Sequence, residues 1–144
     1  MWADTLLSLE RGHLLRLGIW GGASTLVGSL MIAWLVARRL QAPLLRHFAI
    51  QTAAWGAVNL VLCLWASRRL AQRDFAGAQE LLNVLWFNTG LDLGYVAIGI
   101  TLALTAWRWG ARVGGIGAGI GVMVQGVALL LLDARLIALI GPMR

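Results

Sequence analysis

Apolar residues run through this chain in four long blocks, and the polar residues collect between them. The blocks cover residues 17–37, 48–66, 86–106 and 113–132. Each is close to the ~20 residues that a helix needs to cross the ~30 Å hydrocarbon core of a bilayer. The pattern predicts an all-α protein, a four-transmembrane-helix bundle, forming one integral membrane domain over residues 1–144. The connections are too short to hold a separate soluble domain.

The flanks of the blocks carry weaker signals. Residues 4–15 read as an interfacial approach helix, with Asp4 as its N-cap and Trp2, Leu6 and Leu9 toward lipid. Pro43 favours a turn before the second block, and residues 74–80 suggest a short helix on the membrane surface. Trp107 and Trp109 mark one interface, Trp65 and Trp86 the other. Asp133 and Arg135 follow the fourth block, so that helix is expected to overrun the bilayer or to bend along its surface. The start, Met1-Trp2-Ala3-Asp4, lacks the basic region of a cleavable signal, and the first block is longer than a signal's apolar core.

Composition agrees with the pattern. The chain is 60% hydrophobic and 12% charged, whereas soluble domains carry about 25% charged residues. All twelve basic residues are arginine. They gather at block ends, where lipid headgroups explain the net charge of +6 better than a nucleic acid does. Seven arginines fall on the side of the termini and five on the other, which favours cytoplasmic termini. The single cysteine, Cys63, lies within the second block and cannot form an intramolecular disulfide.

Eighteen glycines add a second layer of pattern. Every helix carries a stripe of small or polar residues: Gly18, Gly21, Thr25 and Gly28; Thr52, Gly56, Asn59 and Cys63; Asn88, Asp92, Tyr95 and Gly99; Gly114, Gly117, Gly121 and Gln125. Small residues let membrane helices approach closely, so Gly18, Gly22, Gly56, Gly90, Gly94, Gly117 and Gly121 are expected at helix contacts. The glycine-rich run 113–121 fails the GxGxxG spacing and follows no strand, which excludes a dinucleotide loop.

Asp92 is the residue that apolar surroundings explain least. A charge there costs roughly 2.5–3.5 kcal/mol on insertion scales, so it needs a partner, a proton or a task. At 1.5 Å per residue, Asp92 lies ~9 Å inside Trp86 and Tyr95 ~13 Å. Asn59 is ~10 Å inside Ala66, Thr25 ~12 Å inside Leu17 and Gln125 ~10 Å inside Leu132. These depths predict one intramembrane cluster of Thr25, Asn59, Asn88, Asp92, Tyr95 and Gln125, with Asn59 and Tyr95 bonding Asp92. Such a cluster reads as a lock on helix register, as a cation or proton site, or as a ligand pocket.

The remaining candidates for chemistry do not converge. His13 and His47 fall at opposite membrane faces and cannot share one haem, although either alone is a candidate pigment ligand. Ser24 has no histidine at its level, and neither HExxH nor GxSxG occurs. No catalytic residue, metal site or cofactor is expected.

The motifs Gln51-x-x-x-Trp55-Gly56-x-x-Asn59, Asn88-x-x-Leu91-Asp92-x-Gly94-Tyr95 and Gly121-x-x-x-Gln125-Gly126, the last ending near Asp133, resemble an uncharacterised family of small bacterial four-helix membrane proteins. The resemblance implies a fold and a bacterial inner-membrane location, but no activity. It also implies an acid where this chain has Asn59, so an acid–amide pair stands here in place of an acid pair. The leading expectation is a non-enzymatic structural or accessory subunit that packs in a homo-oligomer or against other membrane proteins. The alternatives are an ion- or proton-coupled transport element centred on Asp92 and a pigment- or cofactor-binding subunit.

Overall fold

In the computed structural model, which describes residues 2–143, the chain is all-α. Four helices follow one another: α1 (Trp2–Ala37), α2 (Pro43–Ser67), α3 (Phe75–Arg108) and α4 (Val113–Ile140), then a 3-10 turn at Gly141–Met143. All four are long and apolar enough to cross a membrane. Each expected block lies inside one of them.

Local chemistry sets the helix ends. Pro43 opens α2, where its fixed φ suits the first turn and its missing N–H costs nothing. Asp74 caps α3, its side chain accepting from the Gly77 amide at 2.8 Å. At the end of α1, Arg39 takes a left-handed φ of 52°. The Leu40 and Arg39 amides then bond the Leu35 and Val36 carbonyls, closing the helix with a Schellman turn.

Three helices run past the limits expected of them. Residues 4–15 are the first turns of α1 itself, residues 75–85 are the first turns of α3, and α4 continues straight through Asp133 to Ile140. With 36 residues, α1 is ~54 Å long, well beyond the hydrocarbon thickness. The extensions stay helical because no proline interrupts them and because they pack together. Leu6, Ala78, Leu82, Leu85, Leu136 and Ile140 form a buried apolar cluster, with Trp2, Leu9, Leu81 and Ile137 against it. Leu6, expected toward lipid, is instead buried in this cluster, while Trp2 and Leu9 are half-buried against it.

The helices pack in the order α1–α2–α4–α3, with a lesser contact between α1 and α4. Glycine governs the closest approaches. A methyl group at Gly28 would sit 2.6 Å from the Ala49 carbonyl oxygen, and one at Gly21 2.9 Å from that of Gly56. On the other side of the bundle, Gly99 and Gly119 face one another across α3 and α4, leaving 2.6 and 2.5 Å for a Cβ. Along their length α2 and α3 do not pack helix against helix. A cleft remains between them.

The expected packing glycines divide accordingly. Gly18, against Cys63 Sγ, and Gly56, against Thr25, hold α1 to α2, while Gly117, against the Leu44 carbonyl, and Gly121, against Gln51, hold α4 to α2. Gly22 makes only a loose contact with Leu60. Gly90 and Gly94 do not serve this bundle: a Cβ at either would meet nothing within 4 Å. They point away because the facing side of α3 is taken by Asp92, Gly99 and Ala106, all buried.

Candidate functional site

The polar residues predicted to meet in one cluster form two. The first is a lock around Gln125, which is 2% exposed. Its Oε1 accepts from Trp20 Nε1 at 2.9 Å and from Asn59 Nδ2 at 3.4 Å, and its Nε2 donates to Ser24 Oγ at 3.2 Å. One carboxamide thus joins α1, α2 and α4. Trp20 and Ser24 lie one helical turn apart, which is how they reach the same side chain. Neither was expected in the cluster. From sequence alone Trp20 has no assigned role, and Ser24 enters only as a candidate nucleophile.

Thr25 is not part of the lock. Its hydroxyl donates to the Gly21 carbonyl in its own helix at 2.8 Å, and its side chain presses on Gly56. Helical Thr commonly bonds back in this way, which removes a polar group from lipid without a tertiary partner.

The second cluster lines the cleft between α2 and α3, where a cavity of about 630 Å³ opens. Volumes of 300–1,000 Å³ are usual for small-molecule sites. Trp55 and Tyr95 stand at its inner end, with ring centroids 4.7 Å apart and planes at 57°. Val58, Leu62, Trp65, Val84 and Leu91 form much of its sides. Asn59 faces it too and so links it to the lock. Its polar lining comes from Glu10, His13, Asn88, Asp92, Asp133, Arg69, Arg73 and Glu80.

The charges are unequally matched. Arg73 donates to both Glu10 oxygens, from Nε at 3.0 Å and from Nη2 at 2.7 Å, in the paired geometry that suits guanidinium and carboxylate. This bond to Glu10 holds the Arg73 guanidinium above its ordinary pKa. Gln72 beside it donates to Asp4 at 2.7 Å, so the α2–α3 connection is tied twice to α1. Arg69 lies over the Trp65 ring at 4.1 Å. Deeper in, His13 Nε2 lies 3.4 Å from Asp133 Oδ1, and Asn88 lines the cavity with them.

Asp92 is 4% exposed, and its Oδ2 is buried with no hydrogen-bond partner among the described residues. Asn59 and Tyr95, its expected partners, are engaged with Gln125 and Trp55. Asp133 is the neighbour that spacing missed. It follows the fourth block and so falls outside the spans in which depth is counted. In the structure α4 continues through it to Ile140, and Asp133 and Asp92 line the same cavity. Of the histidines, His13 joins this group, whereas His47 contacts the Pro43 carbonyl and Gly114 at the other end of the bundle. Among the described residues, no three His, Cys, Asp or Glu side chains are grouped to hold a metal ion.

The fold and the cavity define a class: a four-helix transmembrane bundle with a buried acid at the end of an interhelical cleft. The chain matches a family of unknown function (DUF6992) over residues 16–134 and belongs to it. The matched segment contains Asn59, Asn88, Asp92, Gln125 and Asp133, and leaves out Glu10 and His13. No curated protein and no solved structure matches the chain.

Proposed function

We propose that this chain is a non-enzymatic, multi-pass protein of the bacterial inner membrane, an accessory subunit that binds a small molecule in the cleft between α2 and α3. The carrying observation is the cavity of about 630 Å³ that leads to buried Asp92. The Gln125 lock keeps α1, α2 and α4 together, so the cleft can stay open without loss of the bundle. The nucleophile candidates are turned elsewhere: Ser24 to Gln125, and Cys63 Sγ to the Leu14 carbonyl at 3.1 Å. That supports binding rather than covalent chemistry.

A second observation favours the accessory role. The Gly90–Gly94 face of α3 is small, outward-pointing and uncovered. Spacing of this kind lets another membrane helix approach closely, and a second copy of this chain is the simplest occupant. Gly94→Ile should then reduce self-association in mild detergent while leaving the monomer folded. Unchanged association would remove the argument for this face.

The binding reading is tested with N-phenyl-1-naphthylamine, a neutral apolar fluorophore, on protein in phosphatidylcholine nanodiscs against empty discs. Saturable excess binding is expected, and Leu62→Trp, which fills the cleft from a half-exposed position, should weaken it at least fivefold. No saturable excess in the unmodified protein would overturn the reading.

A further inference from the structure

The inner end of the cleft holds more negative charge than the protein neutralises. Glu10 is matched by Arg73, and Arg69 rests on Trp65 near the mouth. That leaves Asp92 and Asp133 together, with His13 beside Asp133 alone. No arginine or histidine among the described residues lies within ion-pair distance of Asp92. Both carboxyl groups line the same largely apolar cavity, and a cation bound there offsets charge that burial makes costly. Asp92 Oδ2 is the free acceptor for such a cation.

The rest of the cavity restricts what kind of cation fits. A bare metal ion needs a close cage of several oxygen or nitrogen ligands, and here two carboxyl groups and the Asn88 amide adjoin an apolar space of about 630 Å³. Val58, Leu62, Val84 and Leu91 give that space hydrocarbon walls, while the Trp55 and Tyr95 rings stand beside the acids. Ring faces attract organic cations, and hydrocarbon walls favour an alkyl chain. Val58, Leu62, Val84 and Leu91 are also partly exposed on the outer surface, so a chain lying along them reaches the surrounding lipid through the open side of the cleft.

We propose that the α2–α3 cleft is a binding site for an amphipathic organic ammonium, its cationic head held at Asp92 and Asp133 and its alkyl chain laid between α2 and α3. The proposal rests on the binding reading above and adds the charge and shape of the ligand. The ammonium donates to Asp92 Oδ2, with Asp133 and Asn88 as further polar groups of the same cavity. The same chemistry is available from a free alkylamine and from the ethanolamine headgroup of a lipid.

The test compares n-octylammonium with octan-1-ol, equal in chain length but neutral, on protein in phosphatidylcholine nanodiscs with empty discs subtracted. Octylammonium should bind at least tenfold more tightly than octanol. Asp92→Asn should reduce that preference to within about twofold while octanol binding persists, and Asp133→Asn should reduce it in the same direction. Adding phosphatidylethanolamine to the discs identifies the source: competition with octylammonium marks the headgroup, and no competition marks the free amine. Equal affinity for the two probes in the unmodified protein would overturn the ammonium site and leave the cleft a binding site. Saturable binding of neither probe would overturn both.

Discussion

The Trp20 indole N–H donates to Gln125 Oε1 at 2.9 Å, joining α1 to α4 across 105 residues of sequence. The same oxygen also accepts from Asn59, and the amide nitrogen donates to Ser24. Gln125 is therefore the hub on which three helices agree. Gln125→Leu removes the shared carboxamide and leaves Trp20, Asn59 and Ser24 without that partner, at a cost of about 1–3 kcal/mol. Trp20→Phe removes one bond and should cost about 0.6–1.7 kcal/mol, the range of interhelical bonds in membranes. Reversible unfolding in mixed micelles measures both, and equal losses would show that the hub is not Gln125.

Asp92 should behave in the opposite sense. Its Oδ2 accepts from no donor among the described residues, so Asp92→Asn breaks no hydrogen bond at that oxygen and removes a buried charge. The substitution should leave the bundle folded and raise its stability by on the order of 1 kcal/mol. Sites kept for binding commonly sacrifice stability in this way. A marked loss of stability in the same unfolding experiment would return Asp92 to a structural role.

The glycines make a sharper contrast. A methyl group at Gly99 would meet the Gly119 carbonyl oxygen at 2.6 Å and the Met123 amide at 2.7 Å, both backbone atoms that cannot swing away. Gly99→Ala should therefore destabilise the monomer by about 1–3 kcal/mol, the cost of overpacking. Gly94→Ala, with open space around its Cβ, should change monomer stability by less than ~0.5 kcal/mol. Similar losses at the two positions would mean that the α3–α4 contact is looser than its geometry.

These contrasts also mark what the sequence made legible. The four helices could be read directly, because spanning a bilayer imposes a length and an apolar composition that few other folds share. Asn59, Gln125 and Asp92 stood out because polar groups are costly at that depth. Which of them meet could not be read from depth alone, since depth fixes a level and leaves the rotation of each helix undetermined. Thr25 is at the right level and turns to its own backbone, while Ser24 beside it and Trp20, one turn before Ser24, are the residues that reach Gln125. Gly90 and Gly94 carry the same spacing as the contact glycines and face outward, which no spacing reveals. Asp133 was missed for another reason. Its helix is expected to overrun the bilayer or to bend, and it overruns because Leu136 and Ile140 have an apolar cluster to join.

The Glu10–Arg73 pair fixes the mouth of the cavity. Glu10 is buried, and Arg73 is its charge partner on the α2–α3 connection. Arg73→Ala leaves that carboxylate without its two guanidinium bonds, a loss of about 1–3 kcal/mol for bonds to a charged group. The connection 68–74 should then become several-fold more sensitive to limited proteolysis, and unchanged cleavage would show that Gln72–Asp4 alone secures it. Arg73→Lys should rescue only in part, because an ammonium cannot make both bonds in one plane. The sign of the pH effect follows from the pair. Arg73 is held above its ordinary pKa when folded, so the stability it contributes is present below that value and is lost only as pH rises past it. No alkaline loss from this group is expected at working pH.

Tyr95 meets Trp55 through its ring, at a centroid distance of 4.7 Å, and both rings line the cavity. If the ring is what matters, Tyr95→Phe keeps the contact and should change stability by less than ~0.5 kcal/mol. Tyr95→Ala removes it and should cost about 0.5–1.5 kcal/mol beyond the lost area. The same substitution lengthens the cleft, so it should also loosen the hold on a bound alkyl chain. Octan-1-ol binding in nanodiscs should weaken several-fold in Tyr95→Ala and stay unchanged in Tyr95→Phe. A loss in Tyr95→Phe as large as in Tyr95→Ala would assign the effect to the phenol hydroxyl and move Tyr95 from the wall of the site to its polar lining.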